Sequence, residues 1–448
     1  MLSNQDQDKI QSQEGVFIST YGCQMNVNDT ERMYSLLEMS NFVSVPAPEM
    51  ANLIIINSCS VREMPVHKVH SEVGRYQKLK NRNPLLKIGV GGCVGQQEKD
   101  RLLKDIPILD FVFGTDSIDA LPDIVSRVKK TNTRLVSARF EHQKPYEVET
   151  LVRNPGVSTF VNITKGCDNF CTFCVVPYTR GRERSRPSDE IIGDIKNLVK
   201  RKVREVTLLG QNVNSYESGD CDFKALLSRV ALETDIERIR FTTSHPKDFD
   251  KSLMEVIVKH QSKICDYIHL PFQAGNSEVL ERMNRGYTRE EYLAKINMVQ
   301  SHMPNAALST DIIVGFPGET EEQFQDTLSM IEEVPFESIF AFKYSPRPFT
   351  KAARFLDQVP EEEKSSRLTR LFDRHRDITF PLVKKYEGQI FDVLVDKVDD
   401  RDPSFLSGRT TRNKLVHFKG SSSLVGETVP VRIVTAFPVN FRGELVTS

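Results

Sequence analysis

A chain of 448 residues exceeds what a single hydrophobic core serves, so two or three domains are expected. With 39% hydrophobic and 27% charged residues the composition reads as soluble and globular, and no apolar run reaches the length a membrane-spanning helix needs. A formal net charge of −1 excludes a global electrostatic footprint for nucleic acid, so RNA would have to be held by local patches.

The first residues, Met-Leu-Ser-Asn-Gln-Asp-Gln-Asp, lack the basic start and apolar stretch of a signal peptide; residues 1–13 are expected to be a disordered leader and the protein cytoplasmic. Eight cysteines in such a chain are expected as ligands or buried thiols rather than a disulfide framework. Over residues 14–130 short apolar runs alternate with helical patterns: Gly15–Thr20, Asn52–Ile56, Lys87–Val90 and Asp110–Phe113. This alternation predicts an open α/β domain with a parallel sheet. Cys23, Cys59 and Cys93 come just after the first three runs, beyond the carboxyl ends of neighbouring strands, where ligands gather in parallel sheets. Asn28-Asp-Thr-Glu31 has the form of a capping box and would place Cys23 in a loop before the first helix.

A linker is expected over 131–152. From 153 to 384 six strand candidates follow: Thr159–Ile163, Glu205–Leu209, Arg238–Thr242, Asp266–Leu270, Leu308–Val314 and Ile339–Lys343. Helical stretches separate them, including one with Ser188 as its expected N-cap, and six βα repeats suggest an incomplete (β/α)6 barrel. Nearly every strand runs into a polar or Gly/Pro-rich loop, such as Gly210–Asn214, Pro271–Gly275 and Gly315–Gly318, and barrel active sites are built from those loops. Over 387–448 short β-like runs separated by turns predict a small antiparallel barrel. Its Arg401, Arg409, Arg412, Lys414 and Lys419 stand among five aspartates, so charge alone does not mark an RNA module.

The densest chemistry is Cys167-Asp-Asn-Phe-Cys171-Thr-Phe-Cys174. Cys-x3-Cys-x2-Cys supplies three thiolates; structural zinc needs a fourth ligand, and no His or Cys follows at ribbon or finger spacing. A four-iron cubane held by three thiolates keeps one iron open to a small molecule. Cys221 and Cys265 fit no cluster spacing and read as ordinary thiols.

The cysteine motif followed by Val-Val-Pro-Tyr-Thr-Arg-Gly-Arg-Glu-Arg-Ser-Arg186 resembles the signature of radical S-adenosylmethionine enzymes, and among them of the methylthiotransferases. Tyr21-Gly-Cys23-Gln-Met-Asn26, Asn57-Ser-Cys59-Ser-Val-Arg-Glu63 and Gly91-Gly-Cys93-Val-Gly-Gln-Gln97 resemble the three cysteine motifs of that family's N-terminal domain, and the likeness extends over nearly the whole chain from Gly15. The resemblance implies two 4Fe-4S clusters, with Cys167, Cys171 and Cys174 holding the one that binds S-adenosylmethionine and Cys23, Cys59 and Cys93 an auxiliary one that carries the transferred sulfur. It places Gly210, Gln211 and Asn212 at the methionine moiety, and Gln273 and the stretch around Val314 at ribose and adenine. The C-terminal segment resembles a TRAM domain, a small RNA-binding barrel, and Arg180, Arg182, Arg184 and Arg186 are candidates to hold phosphates.

The motifs Ser58-Cys-Ser-Val-Arg-Glu63 and Leu209-Gly-Gln-Asn-Val-Asn-Ser-Tyr216 resemble the branch acting on N6-isopentenyladenosine at tRNA position 37. Its relatives act on threonylcarbamoyladenosine or on a ribosomal protein aspartate. The implied reaction uses one S-adenosylmethionine as methyl donor and a second as radical source, and puts a methylthio group on carbon 2. The implied partners are a tRNA anticodon stem-loop carrying isopentenyladenosine, an electron donor such as flavodoxin or ferredoxin, and a sulfur or iron–sulfur carrier; a monomer and no membrane are expected. Methylthiolation of threonylcarbamoyladenosine, or a non-enzymatic two-cluster protein for RNA binding or electron transfer, stay open as alternatives. Two departures from the family pattern stand out: Gln273-Ala274-Gly275 where Gln-Ser-Gly is usual, and Phe349 in Pro346-Arg-Pro-Phe-Thr-Lys-Ala352 where the family has glycine.

Overall fold

The computed structural model describes residues 13–60, 63–140, 146, 150 and 152–446; the first twelve positions of the expected leader and positions 61 and 62 of the second cysteine motif lie outside them. The first third folds into one sheet: β1 (Glu14–Tyr21), β2 (Phe42–Ser44), β3 (Leu53–Ser58), β4 (Lys87–Gly91), β5 (Phe111–Phe113) and β6 (Leu135–Ser137). The order is β2-β1-β3-β4-β5-β6 and every pairing is parallel. Along the fully buried β3, Leu53 and Ile55 enter one core with Val16, Met33 and Phe111, while Ile54 and Ile56 enter the other with Ile88 and Val90. That alternation is the period of two expected of a strand covered on both faces.

Two local expectations are corrected here. Part of the expected linker 131–152 is strand: β6 covers the open edge of β5 and carries the domain to Ser137. The first helix, Gln24–Glu38, begins before Asn28, so the supposed capping box lies inside it and Cys23 itself is the N-cap. Asn28 and Thr30 are engaged elsewhere: Asn28 accepts from Asn162 Nδ2 at 2.5 Å, and the Thr30 hydroxyl bonds that of Thr20 at 2.6 Å.

All six expected barrel strands are present, as β7 (Ser158–Asn162), β10 (Glu205–Leu209), β13 (Arg238–Phe241), β14 (Tyr267–His269), β15 (Ala307–Val314) and β16 (Phe336–Lys343). Two short hairpin pairs are interposed, β8 (Thr164–Lys165) with β9 (Arg184–Ser185) and β11 (Glu217–Ser218) with β12 (Cys221–Asp222). The parallel trios β13-β10-β7 and β14-β15-β16 are linked by a bridge between Ile239 and Ile264, which makes an open partial barrel. One apolar core containing Val161, Leu208, Phe241, Ile268 and Phe336 runs through it. Pro187, not Ser188, occupies the N-cap of the helix Ser188–Lys200; a capping box of Thr320 and Gln323 starts the helix Glu321–Glu333.

The C-terminal segment closes into a barrel of β17 (Ile390–Val398), β18 (Phe405–Thr410), β19 (Leu415–Lys419), β20 (Thr428–Ala436) and β21 (Asn440–Leu445), in the order β17-β18-β19-β21-β20. It is not wholly antiparallel, because β19 and β21 run parallel. β18 has no apolar alternation to announce it, since Gly408 sits where any side chain would overlap the Leu394 carbonyl.

This barrel is fastened to the central one by polar contacts. Arg238 and Arg240 on β13 donate to the carbonyls of Arg409, Asp392, Thr411 and Thr410. At the base of β16, Glu337 is buried between Arg412, Lys414 and the Tyr386 hydroxyl, which donates to it at 2.6 Å. Arg412 and Lys414, noted as basic residues of the C-terminal loops, thus serve domain docking. Burial raises the Glu337 pKa, but Arg412 and then Lys414 outweigh it and leave the carboxyl below its ordinary value. A depressed carboxylate contributes stability above its unfolded pKa and loses it as pH falls. Docking of the C-terminal barrel therefore weakens as the pH drops below about 4.5, the usual value for such a group. Glu337→Gln, which strands two buried cations, costs about 3–5 kcal/mol at neutral pH, measurable as release of the barrel in limited proteolysis.

Candidate functional site

The carboxyl ends of β1, β3 and β4 bring Cys23, Cys59 and Cys93 to one edge of the N-terminal sheet, Cys93 in the first turn of the helix Gly92–Glu98 that follows β4 directly. Cys59 N–H donates to the Tyr21 carbonyl at 2.9 Å, which draws the two loops together. Gly22, with φ 142°, leaves no room for a side chain, because a methyl there would overlap Cys59 Cβ. The buried pair Asn26 and Asn57 fixes the helix start against β3: Asn57 Nδ2 donates to the Asn26 carbonyl at 2.8 Å and to Thr30 Oγ1 at 2.9 Å. Cys59 and Cys93 are buried and Cys23 is exposed, so the set opens outward on one side. Cys59 hydrogen-bonds both neighbours, which lowers Cys23 to about 6 and Cys93 to about 7, with the Arg180 cation assisting, while Cys59 is itself pushed up. Three thiols with shared protons and a nearby cation are ready to bind a metal centre as thiolates.

The second set lies on the loop beyond the first barrel strand. Gly166, at φ 84°, turns the chain where a side chain would strike the Arg182 carbonyl, and the Cys167 N–H donates to Gly181 O at 3.2 Å. Loops from across the barrel hold the rest: Thr172 N–H donates to Met283 O at 2.9 Å and Ala352 N–H to Thr172 O at 3.0 Å. The buried Arg285 donates to Cys171 Sγ at 3.3 Å. Burial pushes Cys167 up to about 11 and Cys174 up to about 12. Cys167 and Cys174 are therefore protonated when free, and metal must displace their protons. Among the described residues no three His, Cys, Asp or Glu side chains are arranged to hold a single metal ion. A cubane asks for something else, donors spread around a body and each serving a separate iron.

The sequence-expected cofactor residues lie at the same carboxyl edge of the barrel strands. Gln211 Oε1 accepts from Gly166 N at 2.5 Å, which ties it to the cysteine loop. Gly210 packs against Thr164, where a side chain would collide, and Asn212 donates to Asp248 at 2.8 Å. Gln273 has φ 68° and its backbone bridges to β15. The Val314 side chain belongs to the apolar core, as does Ala274, so the latter departure removes a hydroxyl from a dry place. Thr164 Oγ1, Asn212 Oδ1, Thr242 Oγ1, Ser244 Oγ and His245 Nε2 are buried along this rim with no protein partner among the described residues. Unpaired buried polar atoms are rare in native proteins, and five on one edge mark where a polar ligand belongs. His245 is held down to about 2, first by burial and then by Arg285, so its ring is neutral.

The arginine run is where the structure departs most from expectation. Arg180 is buried against Asp29 of the N-terminal domain at 2.7 Å, and Arg186 against Asp194 at 2.7 Å. Arg184 makes a two-pronged contact with the buried Asp116 at 2.8 and 3.0 Å, joined there by Lys165. Arg180 and Arg186 cannot face phosphates, and Arg184 is engaged in holding the two domains together; Arg182, with 62% of its side chain exposed, keeps an outward cation. The ion pairs Asp29–Arg180 and Asp116–Lys165–Arg184 join the N-terminal domain to the segments on either side of the Cys167–Cys174 loop. Motif reading missed Arg285, Asp29, Asp116 and Glu183. The last bonds Ser215 at 2.6 Å and is pushed up to about 7 by burial.

Family models match in three blocks: the Uncharacterized protein family UPF0004 over residues 15–114, the Radical SAM superfamily over 161–331 and the TRAM domain over 384–446. A tRNA-2-methylthio-N(6)-dimethylallyladenosine synthase of Bdellovibrio bacteriovorus is 66% identical over 433 residues, covering 96% of this chain and 95% of that protein. One of Carboxydothermus hydrogenoformans is 46% identical over 440 residues, covering 97% and 100%. Among solved structures, the radical S-adenosylmethionine methyltransferase TsrM from Kitasatospora setae aligns with TM-score 0.57 at 13% identity, over 76% of this chain and 75% of that one. At that identity the likeness concerns the fold alone.

Proposed function

Because the chain belongs to the family of tRNA-2-methylthio-N(6)-dimethylallyladenosine synthases, we propose that it places a methylthio group on carbon 2 of N6-isopentenyladenosine beside a tRNA anticodon. The observation that carries the reading is the gathering of Cys23, Cys59 and Cys93 beside Arg180, which follows the Cys167–Cys174 loop in sequence and pairs with Asp29 across the domain interface. When bound, two 4Fe-4S clusters and S-adenosylmethionine supply reductive cleavage of a sulfonium carbon–sulfur bond and a sulfur for transfer.

The residues suit those groups. Cys167, Cys171 and Cys174 hold one cluster and Cys23, Cys59 and Cys93 the other, each set one thiolate short of saturation. Gly210 and Gly166 keep the rim narrow, Gln211 fixes the cysteine loop, and Asn212 supplies one of the unpaired polar atoms that a bound S-adenosylmethionine would satisfy. The neutral His245 ring offers a hydrogen bond without adding charge. An aromatic C–H has no acidic proton, so no side chain is needed as general base at carbon 2. Arg182 and the exposed Arg401, Lys419, Arg432 and Arg442 are among the cations available to RNA phosphates.

We further propose a flavodoxin or ferredoxin as electron donor, a sulfur or iron–sulfur carrier, a monomeric state and residence in the cytoplasm. No described helix is long and apolar enough to cross a membrane. Arg285 places a buried cation and an N–H on Cys171 Sγ, which favours the more negative, reduced state of whatever that thiolate binds. Arg285→Met is therefore expected to lower the midpoint potential of the reconstituted centre, read by spectroelectrochemical titration.

The test is anaerobic reconstitution, addition of a reductant, S-adenosylmethionine and an isopentenylated anticodon stem-loop, and mass spectrometry of the digested RNA. The expected product is 2-methylthio-N6-isopentenyladenosine together with 5′-deoxyadenosine. Conversion of a threonylcarbamoyladenosine stem-loop in its place would move the substrate to the sister branch. Bound iron without any 5′-deoxyadenosine would leave only a binding or electron-transfer protein.

A further inference from the structure

An aromatic cluster stands in the open beside the second cysteine set. Phe170, inside the Cys167–Cys171 loop, meets Tyr178 edge-on, with ring centres 6.5 Å apart and planes at 85°. Tyr178 in turn lies 6.0 Å from Phe349 at a 34° tilt. The Arg182 guanidinium covers the outer side of Phe170 at 4.5 Å. Tyr178 is 37% exposed and Phe349 56% exposed, a large apolar surface for water to wet.

Backbone conformation makes the arrangement more than incidental. Phe170 has φ 47° and Phe349 φ 73°, in the left-handed region that bulky residues avoid. Such strain persists only where the surroundings impose it. Around Phe349 they do: Thr350 is buried and bonds Arg347 O through both its N–H and its hydroxyl, and Ala352, fully buried, donates to Thr172 in the cysteine loop. The chain is clamped on both sides of an aromatic ring that faces solvent, at the position where the resemblance leads one to expect glycine.

We propose that Phe170, Tyr178 and Phe349, with Arg182, form a stacking platform for unpaired RNA bases flanking the adenine that reacts. The inference rests on the reading above that the substrate is an RNA loop. Single-stranded RNA is recognised through aromatic faces and guanidinium planes set among cations. Here Lys351 is exposed beside Phe349, and the half-exposed Lys247 donates to Asn169 next to Phe170. The carboxylate Asp168, 3.3 Å from Arg182, offsets one of these charges, and Asp248, 3.9 Å from Lys247, part of another. The platform is continuous with the loop that carries Cys167, Cys171 and Cys174, so bases laid on it lie next to the reaction site.

The experiment uses the full-length reconstituted enzyme and two synthetic stem-loops carrying isopentenyladenosine, one intact and one abasic at the nucleotides on either side. Phe349→Gly accepts the positive φ without strain, so it is expected to fold with unchanged or higher thermal stability. Its RNA-independent cleavage of S-adenosylmethionine is expected to match the parent. Stacking is worth about 1–3 kcal/mol per base, so its affinity for the intact stem-loop should fall about five- to 150-fold, with KM rising more than kcat falls. Phe349→Trp should retain binding. The abasic stem-loop should bind the parent more weakly and gain nothing further from Phe349→Gly, the coupling expected of direct contact. Equal binding of the intact RNA by Phe349→Gly and the parent, or equal loss on intact and abasic RNA, would overturn the proposal. If the isopentenylated RNA is not a substrate at all, the failure belongs to the functional reading, and binding of an unmodified stem-loop still tests the platform.

Discussion

Alanine at Cys167, Cys171 or Cys174 is expected to abolish formation of both 5′-deoxyadenosine and methylthiolated RNA, whereas alanine at Cys23, Cys59 or Cys93 abolishes only the second. The asymmetry follows from placement. The first three lie on one loop pinned by Gln211, Met283 and Ala352 at the barrel rim, next to the unpaired polar atoms of Thr164, Asn212, Ser244 and His245. The other three converge from separate strands of a different domain, with their own apolar cores behind them. Losing one ligand of three should exceed the about 10–100-fold that an outer-shell partner is worth, so the affected reaction falls to background. Cysteine to alanine removes one sulfur and leaves the loop anchors untouched, so the variants should fold. Iron analysis is expected to show loss of one centre and retention of the other. Methylthiolated product from a Cys59→Ala enzyme would show that the N-terminal set does not supply the transferred sulfur.

Arg180→Met is expected to cost about 3–5 kcal/mol, because it leaves Asp29 as a buried carboxylate without a partner. The consequence extends to the thiols: beside the Cys59 hydrogen bonds, which lower Cys23 and Cys93 most, the cation also favours their ionised forms, and without it both shift upward. Reconstitution of the N-terminal centre should then require higher pH or more iron, with that at Cys167, Cys171 and Cys174 less affected. Adding Asp29→Asn to Arg180→Met should recover part of the stability, since the orphaned charge is gone; denaturant midpoints of the four proteins complete the cycle. Equal stability of Arg180→Met and the parent would mean that Arg180 does not hold the interface. Arg186→Met, breaking a pair with Asp194 inside the barrel, should cost a similar amount without altering the Cys23 set.

The main strands of the first two domains were legible because buried parallel strands are written as continuous apolar runs, as in Leu53-Ile-Ile-Ile56, which packs on both faces, whereas β18 of the C-terminal barrel, Phe405-Leu-Ser-Gly-Arg-Thr410, carries no such run. The short strands β2 and β6 were not legible, since three residues carry too little pattern to stand out from a loop. The start of the first helix was misplaced because a capping box is judged from side-chain type alone. Asn28 had a partner in Asn162, 134 positions away, that no local pattern discloses.

By itself the sequence determined the count and spacing of the thiolates, the order of the three domains and the strand-to-loop edges on which the cysteines sit, because these are local properties of covalent spacing and periodicity. Only the tertiary structure decided what the charged and aromatic residues near those cysteines do. Arg180 and Asp29 lie 151 positions apart, and Phe349 reaches Tyr178 from the loop after the last barrel strand. Whether an arginine meets a phosphate or a buried aspartate depends on its distance from water and on the nearest opposite charge, and both are set by packing between segments remote along the chain.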